Sequence, residues 1–131
     1  MVVDIAAQEL SPGVTAISFT GRLVLGNRLG EVEHAIREKI KQGSRKLVLD
    51  FSGLHFLDSA GVGVLAMLFG VMEREGGKLA VSGAAGHVKQ TLELTHLNRL
   101  VGMYPDVESA HSALAEFPPA REAWSSPGNQ Q

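Results

Sequence analysis

The fold of this chain is decided by residues 47–63, LVLDFSGLHFLDSAGVG. The first five of these residues are nearly all apolar rather than alternating, which predicts a strand over 46–51 with neighbouring strands on both sides. A helical pattern of apolar residues follows and predicts a helix over about 59–75. Ser59 therefore lies where a central strand gives way to a helix.

The position of Ser59 predicts a helix N-cap, because a serine oxygen can accept a hydrogen bond from an unpaired N–H of the first turn. Those N–H groups and the positive end of the helix dipole also attract phosphate. A phosphoryl group on this serine would add about −1.5 to −2 charges to its surroundings. The residues that follow it are small and nearly apolar: Ala60, Gly61, Val62 and Gly63.

Two glycines in the first turn of a helix need an explanation, because each costs about 1 kcal/mol relative to alanine. Gly61 and Gly63 indicate close approach either by a partner protein or by the sheet, and we favour a partner. The helix is apolar on both sides, and its spacing predicts a core face of Val62, Leu65, Phe69 and Met72, with Val64, Leu68 and Val71 opposite. We assign most of these to the core, and Val62, Val64 and the loop residue Leu25 to partner contact.

Composition limits the classes of function. The chain has 131 residues, enough for one domain, with 12 Lys and Arg against 14 Asp and Glu. No basic cluster is interleaved with aromatic residues, so neither direct nucleic-acid binding nor an anionic membrane surface is indicated. There is no cysteine, no pattern typical of a signal peptide and no apolar run of about 18 residues. These features predict a cytoplasmic protein without membrane insertion.

The rest of the sequence alternates between strand and helix patterns. The predicted elements are a hairpin of strands 2–8 and 14–20, a helix over 27–42, a strand over 78–82, a helix over 86–95, an edge strand over 100–103 and a helix over 106–117. Together with residues 46–75 they predict an α/β fold with a mixed sheet of four to five strands and about four helices. Residues 118–131 are rich in proline and polar residues and predict a flexible C-terminal tail.

In this order of elements, residues 1–117 resemble the STAS domain family, specifically the bacterial anti-sigma factor antagonists. The most specific match is residues 47–63, where an apolar strand and a short loop lead to the turn Asp58-Ser59-Ala60-Gly61. Residues 21–23 and the apolar positions between Val88 and Leu100 match more weakly.

The resemblance implies partner switching in transcription regulation. An anti-sigma factor that is itself a serine kinase would bind the unmodified chain and then phosphorylate Ser59, and a protein phosphatase would reverse the modification. The implied partner-binding residues are Asp58, Ala60, Gly61, Val62, Gly63, Leu25 and Asn27. The chain itself would be no enzyme and would need no cofactor or metal, and a homodimer is compatible with the resemblance.

The match departs at Val24, because many family members carry an aspartate at this point of a loop that contacts the partner. This departure favours a changed partner. Similar domains also act as scaffolds without phosphorylation, for example as accessory subunits of lipid transporters or in stress-signalling assemblies. A scaffold of this kind is therefore the alternative to the phosphorylation switch.

Three other kinds of site have weaker support in the sequence. A serine hydrolase could pair Ser59 with His55, but the turn lacks the G-x-S-x-G nucleophile elbow. A phosphate-binding loop could lie at residues 82–86, although the P-loop lysine is missing. His87 and His96 are nine residues apart and do not share a helical face, so we assign no metal site.

Overall fold

The computed structural model describes residues 3–26 and 28–116, which form a five-stranded mixed sheet with four helices and one short 3₁₀ helix. The elements in chain order are β1 (Asp4–Ser11), β2 (Val14–Leu23), α1 (Leu29–Lys41), β3 (Lys46–Leu57), α2 (Ser59–Arg74), β4 (Lys78–Ser82), α3 (Gly86–Leu94), the 3₁₀ helix (Leu97–Arg99), β5 (Gly102–Tyr104) and α4 (Val107–Ala115). The strands lie side by side in the order β1-β2-β3-β4-β5, with β1 antiparallel to β2 and the other pairs parallel. The predicted α/β fold with a mixed sheet is confirmed.

β3 is the central strand, as its apolar sequence predicted. Leu47, Val48 and Leu49 have no exposed surface, because β2 and β4 flank the strand and helices cover both faces. The strand is six residues longer than predicted and continues to Leu57. Its pairing with β2 shifts register twice, which disturbs the alternation of side chains over residues 52–57 and explains why their pattern did not predict a strand.

The two faces of the sheet bury different side chains, because successive residues of a strand point to opposite sides. One face carries large residues such as Phe19 and Phe51, whose rings meet edge to face at 5.1 Å, and packs against α1, α2 and α3. The other face carries Ala16, Val48 and Ala80, which α4 covers with Ala110 and Leu114. Three helices therefore lie on one side of the sheet and one on the other.

The predicted core face of α2 is partly wrong. The buried side chains are Leu65, Leu68, Val71 and Met72, whereas Val62, Val64 and Phe69 are half-buried. The reason is that α2 contacts both the sheet and α1, so that two sides of the helix are covered. Although α2 is largely apolar, none of the helices in the described part of the chain is long and apolar enough to cross a membrane.

The topology brings three helix N-termini to one edge of the sheet. β2, β3 and β4 are parallel, and each is followed directly by a helix. The carboxyl ends of these strands lie at the same edge, where ligands commonly bind in α/β proteins. The loops that begin α1, α2 and α3 therefore share one end of the domain, and Ser59 lies there.

The other element boundaries differ from prediction by a few residues. α1 begins at Leu29 after Arg28, which has a left-handed backbone with φ of 61°. The 3₁₀ helix at Leu97–Arg99 was not predicted. Because it precedes β5, that strand begins at Gly102 rather than at residue 100 and ends at Tyr104. The predicted cap of α4 is confirmed, because the Asp106 side chain accepts a hydrogen bond from Ser109 N. The predicted tail at 118–131 lies outside the described residues, as do Asn27 and Phe117.

Candidate functional site

The N-cap of α2 is Asp58 rather than Ser59, which corrects the sequence prediction. β3 ends at Leu57, and Asp58 has an extended backbone, with φ of −99° and ψ of −177°. Its Oδ1 accepts a hydrogen bond of 2.9 Å from Gly61 N, and its carbonyl oxygen accepts one of 2.9 Å from Val62 N. Asp58 therefore fulfils the capping role that was assigned to the serine.

Ser59 is the first residue of α2, and its side chain faces solvent. Within residues 3–26 and 28–116, no hydrogen bond engages its hydroxyl. Because Asp58 caps the helix, the serine hydroxyl has no structural task at this position. The site thus presents an accessible nucleophilic oxygen at the positive end of a helix.

The Asp58 carboxylate also joins α2 to the loop that follows β2. Its Oδ2 accepts a hydrogen bond of 3.1 Å from Leu25 N, while its Oδ1 accepts the hydrogen bond from Gly61 N. Partial desolvation by itself would raise the pKa of Asp58, but the hydrogen bonds from Gly61 and Leu25 outweigh it and lower the pKa below its ordinary value. The carboxylate is therefore ionised and accepts at both oxygens at neutral pH.

Replacing Asp58 with alanine is expected to reduce the free energy of unfolding by about 0.5 to 2 kcal/mol at neutral pH. Because the folded pKa lies below the unfolded one, the contribution is complete above the ordinary carboxylate pKa and is lost as pH falls through the folded value. Denaturant unfolding of both proteins, in steps from neutral pH into the acid range, measures the difference. A difference that stays constant over the whole pH series would contradict this assignment.

The two glycines near the start of α2, Gly61 and Gly63, have different surroundings. Gly61 is buried, and a Cβ at this position would collide with the carbonyl oxygen of Leu23 and lie 2.7 Å from Cδ1 of Leu57. The preferred explanation, close approach of a partner, is therefore wrong for Gly61, because the chain's own β2 occupies that space. At the exposed Gly63 a Cβ would have no atom within 4 Å, so this position is open to a partner.

The remaining predicted partner-binding residues lie around the same helix end. Leu25 is 76% exposed, in the loop that Asp58 ties to α2. Ala60 and Val62 are half-buried beside Ser59. Asn27 lies outside the described residues. The structure thus brings Leu25 and the first turn of α2 together, although 33 positions separate Leu25 from Asp58.

A stacked group that the sequence did not predict borders this surface. The Arg22 guanidinium lies 4.7 Å from the centre of the Phe56 ring, and the His87 imidazole stacks on that ring at 4.3 Å and 2°. His87 Nε2 lies 3.3 Å from the carbonyl oxygen of Leu57, which can only accept, so this hydrogen bond requires a proton on Nε2. These three side chains come from β2, β3 and α3. Their spacing in the sequence did not indicate that they stack; only their residue types, a cation and two aromatic rings, made such a contact possible.

The STAS domain family model matches residues 6–110. The chain belongs to the STAS domain family. This match includes β2, the whole of β3 and α2, and therefore every described residue of the site around Ser59.

Two curated relatives of this STAS domain bear names from different classes. YvdB of Bacillus subtilis strain 168, named as a sulfate transporter, is 24% identical over 98 residues, which are 75% of this chain but only 18% of YvdB. BtrV of Bordetella bronchiseptica, named as an anti-sigma factor antagonist, is 24% identical over 87 residues, which are 66% of this chain and 72% of BtrV.

Solved structures of the anti-sigma factor antagonist SpoIIAA share the fold of this STAS domain. The unphosphorylated form superposes with a TM-score of 0.76 at 19% identity, covering 88% of this chain and 99% of SpoIIAA. The phosphorylated form, from Bacillus, gives a TM-score of 0.68 at 19% identity over 84% and 98% of the two chains. The comparison confirms a single α/β domain with STAS topology.

The alternative sites suggested by the sequence find little support in the geometry. His55 is exposed and forms no hydrogen bond with Ser59 among the described residues, so the pair lacks the contact a hydrolase needs. At residues 82–86, a Cβ on Gly83 would lie 3.2 Å from the Asp50 carboxylate, which would repel a bound phosphate. No group of three or more possible metal ligands lies together in the described residues.

Proposed function

We propose that this STAS domain is an anti-sigma factor antagonist. It binds a kinase-type anti-sigma factor through the surface around Ser59, and phosphorylation of Ser59 releases that partner. The observation that carries the proposal is an exposed serine hydroxyl at the first position of α2, next to an aspartate that already performs the capping role. A side chain without a structural role can be modified without damage to the fold.

The charges around Ser59 support release by electrostatics rather than by unfolding. The positive end of α2 favours an anion by about 0.3 to 1 kcal/mol, which offsets part of the repulsion from the ionised Asp58. The folded domain therefore tolerates the phosphate. A partner that covers Ala60, Val62 and Gly63 must instead desolvate a dianion, which weakens its binding.

The relatives support the same function. BtrV is named as an anti-sigma factor antagonist, and SpoIIAA has been solved with and without phosphorylation. By analogy, the kinase would bind and modify Ser59, and a protein phosphatase would restore the unmodified form in the cytoplasm. The chain itself would catalyse no reaction, since its proposed task requires only a surface and an acceptor hydroxyl.

The proposed function is tested by incubating the protein with the candidate anti-sigma kinase and ATP. We expect one phosphate per chain, located at Ser59 by mass spectrometry, and none in Ser59→Ala. The exposed Ser52 provides an internal control for unspecific transfer, because it lies on β3 outside the first turn of α2. Phosphate on Ser52 or another residue instead of Ser59, or no phosphate at all, would exclude the switch.

The second candidate is a scaffold that does not switch, such as an accessory subunit of a transporter or of a stress-signalling complex. It is favoured by the match to YvdB and by Val24, where many family members carry an aspartate. A scaffold would bind its partner equally well whether or not Ser59 carries a charge. Comparing Ser59→Asp with Ser59→Ala in a binding assay therefore separates the two candidates.

A further inference from the structure

The Asp58 carboxylate connects two segments that are distant in the sequence. One oxygen accepts from Gly61 N in the first turn of α2 at 2.9 Å, and the other accepts from Leu25 N at 3.1 Å. An ionised carboxylate can accept at both oxygens, whereas a helix cap requires only one of them. The second hydrogen bond therefore goes beyond what capping explains.

Among the described residues, this hydrogen bond is the shorter of two that join the segment carrying Leu25 to the start of α2. Leu25 is 76% exposed, so its side chain contributes little packing to the domain. The next residue, Gly26, has a φ of 80°, a backbone conformation that favours a turn. The other described hydrogen bond between this segment and the start of α2 joins Asp58 N to Leu23 O at 3.4 Å, a long distance.

We propose that Asp58 is a positioning residue that holds the Leu25 loop against the first turn of α2, so that both segments present one docking surface. This inference rests on the proposed function, because the surface is the one that the anti-sigma kinase would bind. Without the carboxylate, the partner would have to order the loop as it binds, at a cost in affinity. Asp58 thus acts through Leu25 rather than by direct contact with the partner.

The first test needs no partner and compares two helix caps. Asp106 caps α4 through Ser109 N at 2.8 Å and makes no bond to a distant loop among the described residues, so Asp106→Ala is the matched control for Asp58→Ala. Amide hydrogen exchange, followed by NMR, reports on each N–H separately. We expect exchange at Leu25 to rise on the order of fivefold to tenfold in Asp58→Ala and to stay unchanged in Asp106→Ala. Unchanged exchange at Leu25 in Asp58→Ala would overturn the proposal.

The second test is a double-mutant cycle with the kinase that phosphorylates Ser59. We expect Asp58→Ala to weaken binding on the order of tenfold in the native background, and by less than about threefold in a Leu25→Ala background. Asp106→Ala should leave the affinity unchanged. Equal losses from Asp58→Ala in both backgrounds would show that Asp58 acts independently of Leu25, and the proposal would be wrong.

The two tests separate failure of this inference from failure of the proposed function. If no kinase binds, the proposed function fails, while hydrogen exchange still decides whether Asp58 holds the loop. If the kinase binds and the cycle is additive, the proposed function stands and the positioning role of Asp58 is rejected.

Discussion

Ser59→Asp is expected to weaken binding of the anti-sigma kinase on the order of tenfold to a hundredfold, which corresponds to about 1.4 to 2.8 kcal/mol. The substitution places one negative charge beside the ionised Asp58, on a surface of small residues that the partner would cover. Burying this added carboxylate under a partner costs its desolvation free energy. Isothermal calorimetry with the purified kinase measures the change.

Ser59→Ala is the matched control for this prediction. It removes the hydroxyl without adding charge, and the exposed side chain has no hydrogen bond to lose in the described structure. We expect its affinity to stay within about threefold of the native protein, since most interface residues cost less than about 1 kcal/mol of binding free energy when truncated. Both variants should unfold at nearly the same denaturant concentration. Equal affinities for the two variants would favour the scaffold.

Gly61→Ala is expected to lower the free energy of unfolding by about 3 kcal/mol or more, near the upper end of overpacking effects. The added Cβ would collide with the carbonyl oxygen of Leu23 and press against Leu57. A backbone oxygen cannot rotate away as a flexible side chain can, so α2 must shift away from β2. Denaturant unfolding and the melting temperature measure the effect.

Gly63→Ala is the control two residues along the same helix. A Cβ there has no atom within 4 Å, so the variant should gain about 0.5 to 1 kcal/mol from the better helix propensity of alanine. If a partner approaches this turn closely, the same variant should bind it more weakly although it is more stable. A destabilised Gly63→Ala, or an unaffected Gly61→Ala, would contradict the packing described for this turn.

Features that depend on the residues of a single strand, helix or turn were predicted well from the sequence. The apolar run at 46–51 identified the central strand, because a strand buries successive side chains only where both faces of its sheet are covered. The helical pattern over 27–42 identified α1, whose buried residues are Leu29, Val32, Ile36 and Ile40. The turn Asp58-Ser59-Ala60-Gly61 located the candidate site and the family.

Features that depend on contacts between elements were not predicted. Asp and Ser both favour the N-cap, so the assignment at 58 and 59 needed the backbone geometry of the strand end. Gly61 and Gly63 look alike in the sequence, and only the position of Leu23 distinguishes them. The link from Asp58 to Leu25 likewise joins segments whose proximity follows from the pairing of β2 with β3.

The most direct measurement is the dissociation constant of one anti-sigma kinase for two forms of the same protein, phosphorylated at Ser59 and treated with phosphatase. A phosphate adds about −1.5 to −2 charges, and a penalty of about 3 to 4 kcal/mol corresponds to an affinity roughly 100 to 1,000 times weaker. We predict that the phosphorylated form binds more weakly by this factor while remaining folded. Equal dissociation constants for the two forms would contradict the account.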